Sequence, residues 1–84
     1  MEKITRENIE THLFDYMLEV IGKTRIEILD AYNWRAEFTI SRVKYTEFYE
    51  YSIKLIMKTL HISKNKAIVA FERFWKQYGV RLKG

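Results

Sequence analysis

Lys64, Asn65, Lys66, Val69, Arg73 and Lys76 lie close together near the end of the chain. Projected at 100° per residue, Asn65, Lys66, Val69, Glu72, Arg73 and Lys76 share one side of a helix. These side chains suit a nucleic-acid groove. An Asn amide can pair with adenine, Lys and Arg with guanine or phosphate, and Val can touch a thymine methyl. Lys54 and Lys58 precede this group, and Arg81 and Lys83 follow it, as further phosphate contacts. The charge is not spread evenly. Met1 to Ser41 carries five Lys/Arg against eight Asp/Glu, and Arg42 to Gly84 ten against three, giving −3 and +7. Cations gathered on one half suggest a surface that meets phosphates or an acidic partner.

Other chemistries find little support. His12 and His61 have no acidic neighbour at metal-ligand spacing, so packing or capping is the expected role of each. Asp30 and Glu37 flank a predicted turn and read as solvated charges. Ser41, Ser52 and Ser63 lack a base at a recognisable spacing, and no glycine-rich phosphate loop is present. The expectation is a non-enzymatic protein without metal or cofactor. A different group could serve a protein partner: Tyr32 and Trp34 at a predicted hairpin tip, joined by Tyr51 on the polar side of its helix.

The 84 residues suit a single domain, 1–84. At this length a chain buries a little over about 60% of its unfolded surface, so the core is small. Phe, Tyr and Trp make up 15% of the residues and offset that, because each ring buries roughly 150–250 Å². Cysteine is absent, which fits a reducing compartment. No apolar run is long enough for a bilayer, and the start at Met1 lacks the apolar segment of a signal peptide. A complete cytoplasmic chain is expected.

Thr5 reads as the cap of a first helix, from about Arg6 to Ile21, with Ile9, Leu13, Tyr16, Met17, Val20 and Ile21 on one face and Gly22 as terminator. Ile26 and Ile28 then alternate with Arg25 and Glu27, and Trp34, Ala36, Phe38 and Ile40 alternate with polar neighbours. That period of two predicts a β-hairpin turning at Asp30 to Asn33. A helix from Arg25 is the rival, since Ile28, Leu29 and Tyr32 also fit helical spacing. Thr46 reads as the next cap, before a helix with Phe48, Tyr49, Ser52, Ile53, Ile56 and Leu60 on its inner face. Ser63 caps the last helix, whose stripe is Ala67, Ile68, Phe71, Phe74, Trp75 and Tyr78 and whose end is Gly79. Val80 to Lys83 adds a short strand or a tail.

The segment from Ile56 to Phe71 resembles the helix-turn-helix superfamily of DNA-binding domains. Met57 stands at the buried position of the first helix, Leu60 and Ile62 flank the turn, Ser63 caps the second helix, and Ala67 and Ala70 allow close approach. His61 stands where many members place a glycine. The resemblance implies that the second helix enters the major groove by its N-terminal residues. The expected fold is therefore α+β: helix, β-hairpin, then a two-helix hairpin, with an all-α bundle as alternative. The expected function is docking of a basic helical face on DNA, or on RNA, as a small transcriptional or mobile-element regulator. The alternative is a protein-interaction module, such as a phage-type inhibitor or adaptor. No heptad seam imposes a dimer, and the oligomeric state stays open.

Overall fold

The structure is a computed structural model that describes residues 3–34, 38–79 and 82–83, with backbone alone at Tyr32, Leu82 and Lys83. Its elements are α1 (Ile9–Ile21), α2 (Arg25–Trp34), β1 (Phe38–Thr39), α3 (Arg42–Leu60), α4 (Lys64–Phe74), a π turn (Trp75–Gly79) and β2 (Leu82–Lys83). The two strands pair in parallel, Phe38 with Leu82 and Thr39 with Lys83.

The expected α+β class is thereby corrected. The molecule is a small all-α bundle, and Arg25–Trp34, read above as the first part of a hairpin, is a helix. The cause is local. Thr24 and Glu27 form a reciprocal cap. The Glu27 N–H donates to Thr24 Oγ1 at 3.2 Å, and the Thr24 N–H donates to Glu27 Oε1 at 3.3 Å. A Thr-x-x-Glu box of this kind satisfies two otherwise orphaned donors and starts a helix at Arg25. Just before it, Gly22 ends α1 at φ 68°, and its N–H and that of Lys23 close back onto Glu19 and Leu18. That closure needs a left-handed residue, which glycine supplies at low cost. Of the alternating residues beyond Trp34, only Phe38 and Thr39 form a strand, and residues 35–37 lie outside the described part.

Two further boundaries differ from expectation. Thr5 opens a turn ahead of α1, its N–H donating to Asn8 Oδ1 at 2.7 Å. α3 begins a full turn before Thr46, because Ser41 Oγ accepts from the Lys44 N–H at 3.2 Å.

The core follows from the apolar stripes. α1 contributes Ile9, Leu13, Phe14 and Met17, α3 contributes Phe48, Ile53 and Ile56, and α4 contributes Ala67, Phe71 and Phe74. α3 packs most closely on α4 and next on α1, so it is the central element. The π turn completes the aromatic layer. Trp75 sits edge-on to Tyr45 of α3 at 4.9 Å, and Tyr78 lies 5.2 Å from Phe14 of α1. The wider i→i+5 turn lets neighbouring rings serve two different helices.

Candidate nucleic-acid interface

Three residues, His61, Ile62 and Ser63, join α3 to α4. A turn this short needs one left-handed residue, and His61 takes that role at φ 54°, ψ 47°. Ser63 then opens α4, its Oγ accepting from the Lys66 N–H at 3.4 Å. Ala67 is fully buried, so the first inward position of α4 is filled by a methyl group, with Phe71 and Phe74 following it on the same face. Met57, placed above at a buried position, is half-buried against the core. These features fix which side of α4 faces out.

Asn65, Lys66, Val69, Glu72, Arg73 and Lys76 are all exposed, as the helical projection expected, and so is Lys64. Asn65, Lys66, Val69, Ala70 and Arg73 line one open hollow of about 340 Å³. Val69 is 55% exposed at its centre. Lys54 and Lys58 are exposed one turn apart on α3. Lys76 lies in the π turn, where the 100° projection no longer holds. Arg81 lies outside the described residues, and so does the side chain of Lys83.

Charge compensation is uneven. Among the described residues, ion pairs occur between Lys23 and Glu27 and between Arg25 and Asp15, all within α1, α2 and their connection. None involves Lys54, Lys58, Lys64, Lys66, Arg73 or Lys76. Arg73 also lines a cleft of about 260 Å³ with Arg6, Glu7 and Glu10, floored by Ile56, Leu60 and Phe74. Glu7 is held below the usual carboxylate range, first by its backbone N–H and then by the Thr5 hydroxyl. It therefore keeps a negative charge on that flank. Glu72 turns its field toward Tyr45, whose hydroxyl is pushed up first by burial, then by Tyr49 and by Glu72.

The N-termini of the helices show the same division. The first turns of α1 and α2 carry Glu10 and Glu27, as the helix dipole favours. Those of α3 and α4 carry no acidic residue. Instead α3 starts with Arg42 and Lys44, and α4 with Lys64 and Lys66. Arg42 and Lys44 were not among the expected site residues. Tyr45, next to them, packs on Trp75, so they stand at the end of α4 that bears Lys76. Their position in the basic half was the available signal.

The aromatic group separates. Trp34 ends α2 and is 82% exposed. The Tyr32 side chain lies outside the described residues. Tyr51 is half-buried, hydrogen-bonded to His12 Nε2 at 2.8 Å and stacked on Tyr16 at 4.2 Å. It belongs to the α1–α3 contact and not to the surface around Trp34. Ile26, Leu29 and Val43 are exposed apolar side chains, and of these the strand reading had placed Ile26 on the buried face. No grouping of His, Cys, Asp and Glu that could hold a metal occurs among the described residues. No helix among them is long and apolar enough to cross a membrane. No protein-family model, curated protein or solved structure matches the chain.

Proposed function

We propose that this chain is a non-enzymatic nucleic-acid-binding protein of the cytoplasm, a small regulator that sets α4 into the major groove of DNA. One observation carries the reading. Lys64 and Lys66 occupy the first turn of α4, with no carboxylate there or in ion-pair reach. A cation in that turn opposes the helix dipole and costs roughly 0.3–1 kcal/mol. Such placement is accounted for if an anion supplies the missing countercharge. Phosphate does so, and the adjoining Asn65 and Val69 then face base edges. Lys54 and Lys58 on α3 and Arg42 and Lys44 at its start extend the phosphate track.

The test is a fluorescence-anisotropy titration with random duplex, single-stranded DNA and RNA at two ionic strengths. Duplex binding should weaken steeply with salt, with a log–log slope of about −0.9 per neutralised phosphate. Lys66→Glu combined with Arg73→Glu should abolish binding while the helical circular dichroism is retained. Unchanged duplex affinity of that variant in low salt refutes the reading.

The alternative of a protein-interaction module has one observation behind it, the exposure of Trp34. An aromatic-anchored complex would weaken little as salt rises, and the same titration with a protein partner separates the two.

A further inference from the structure

We propose that α2 is a self-association surface, which pairs in parallel with α2 of a second copy of this chain. α2 docks on its own molecule through Ile28 and Ala31, both buried and three residues apart. The outward side is apolar as well. Ile26 is 70% exposed and Leu29 54%, again three residues apart, and Asn33 follows one turn later in the same line. Spacings of three and four make Ile26, Leu29 and Asn33 the a, d and a positions of a short heptad pattern. Ile at a, Leu at d and one Asn at a is the set that favours two parallel strands.

The charges beside this stripe identify the occupant. Arg25 and Asp30 lie on opposite flanks, each displaced about equally from the line through Ile26 and Leu29. In a parallel two-fold pair, the residue before a meets the residue after d on the other helix. Arg25 of each copy therefore faces Asp30 of the other, and two opposite-charge contacts form. An antiparallel two-fold pair would set the Arg25 flanks together and the Asp30 flanks together, bringing like charges into contact. The stripe thus complements itself in one orientation. Asp30 has no ion pair of its own among the described residues. Arg25 is bonded to Asp15 at 2.7 Å and covers the Phe14 ring, yet both members of that pair are more than half exposed. A guanidinium has five donors and can serve both carboxylates. Arg25, Ile26, Leu29, Asp30 and Asn33 all belong to the acidic half of the sequence, and none of them is among the proposed nucleic-acid contacts. The stripe's length, under two heptads, sets a weak association, with a dissociation constant on the order of 10–100 µM.

Sedimentation equilibrium on the intact chain without nucleic acid tests this. The expected result is a concentration-dependent monomer–dimer equilibrium. Leu29→Lys, which changes an exposed side chain, should leave the helical dichroism unaltered and yield monomer. Asp30→Lys, which touches no intramolecular ion pair, should weaken association by more than about tenfold through like-charge contact with Arg25. Adding Arg25→Glu to Asp30→Lys restores opposite charges and should restore the dimer. A monomeric wild-type chain throughout that concentration range overturns the proposal. So does a dimer indifferent to Leu29→Lys or Asp30→Lys, or a folded double variant that remains monomeric.

Discussion

His61 holds a backbone shape that residues with a Cβ adopt at a cost. Its φ of 54° is the one positive value outside glycine among the described residues. The side chain is exposed and makes no hydrogen bond among the described residues. His61→Gly should therefore relieve strain and raise stability by about 0.5–1 kcal/mol, the strain relieved exceeding the extra entropy glycine gives the unfolded chain. Urea unfolding monitored at 222 nm reads the difference directly. A loss of stability would mean that the imidazole makes a contact that outweighs the strain. Ser52 presents the opposite problem. It is fully buried in α3 and its Oγ has no hydrogen-bond partner. An unsatisfied buried hydroxyl costs about 1–3 kcal/mol, more than one small side chain returns in packing. Ser52→Ala should raise stability by about 1 kcal/mol. Ser52→Val should lower it by about 1–3 kcal/mol, because extra methyls at a fully buried position force neighbouring side chains out of their rotamers. If alanine destabilises as much as valine, the hydroxyl has a partner in solution and this account of the α3 core fails.

At the scale of the element, α2 is the least integrated helix. Its inner stripe consists of Ile28 and Ala31, whereas α1 and α3 each bury at least three large side chains and α4 buries Phe71 and Phe74. Its start depends on Thr24 and Glu27, assisted by the Lys23–Glu27 ion pair at 3.8 Å. Thr24→Ala should cost about 1 kcal/mol. That loss should appear as faster amide exchange across Arg25–Trp34, with α3 little changed. Uniform slowing or uniform acceleration along the chain would show that α2 unfolds only with the rest. The same helix explains why part of the fold was hard to read in the sequence. Residues two apart on a helix are separated by 200°, so Ile26 pointing out and Ile28 pointing in look like strand alternation. Only the spacing of three from Ile28 to Ala31, and the Thr24–Glu27 box, tell the two apart. The other helices were legible because their apolar sets run for several turns. Phe48, Ser52, Ile53 and Ile56 lie inside α3, and Ala67, Phe71 and Phe74 inside α4, as their spacing required. The outer face of α4 was legible for the same reason, since a known inner stripe fixes its opposite. The exposure of Ile26 was not, because an apolar residue in a misread strand is assigned to the core. The π turn left no composition signal, so the 100° projection was carried past Phe74, where it no longer applies.

For the whole molecule, the separation of charge sets stability against binding. From Lys54 to Lys76 the chain carries six cations and one carboxylate, Glu72. With no ion pair to compensate them among the described residues, these cations repel one another in the folded state, and added salt should screen that repulsion. Lys66 is the sharpest case. It stands three residues after the Ser63 cap, in the position where a Glu would complete a reciprocal box. Lys66→Glu replaces an unfavourable dipole contact with a favourable one, supplies that box and removes a charge from the crowded side. It should stabilise the fold by about 1 kcal/mol. For a chain of this size that raises Tm by about 4–8 °C. The gain should be largest in low salt and shrink as salt screens it. Duplex affinity should move the other way, falling steeply in low salt as a phosphate contact becomes a repulsion. Thermal melts and anisotropy titrations of this single variant at two ionic strengths measure both changes. A variant that is more stable and no weaker on DNA would mean that Lys66 costs the fold something for no nucleic acid at all. The countercharge for the first turn of α4 would then have to come from an acidic protein surface.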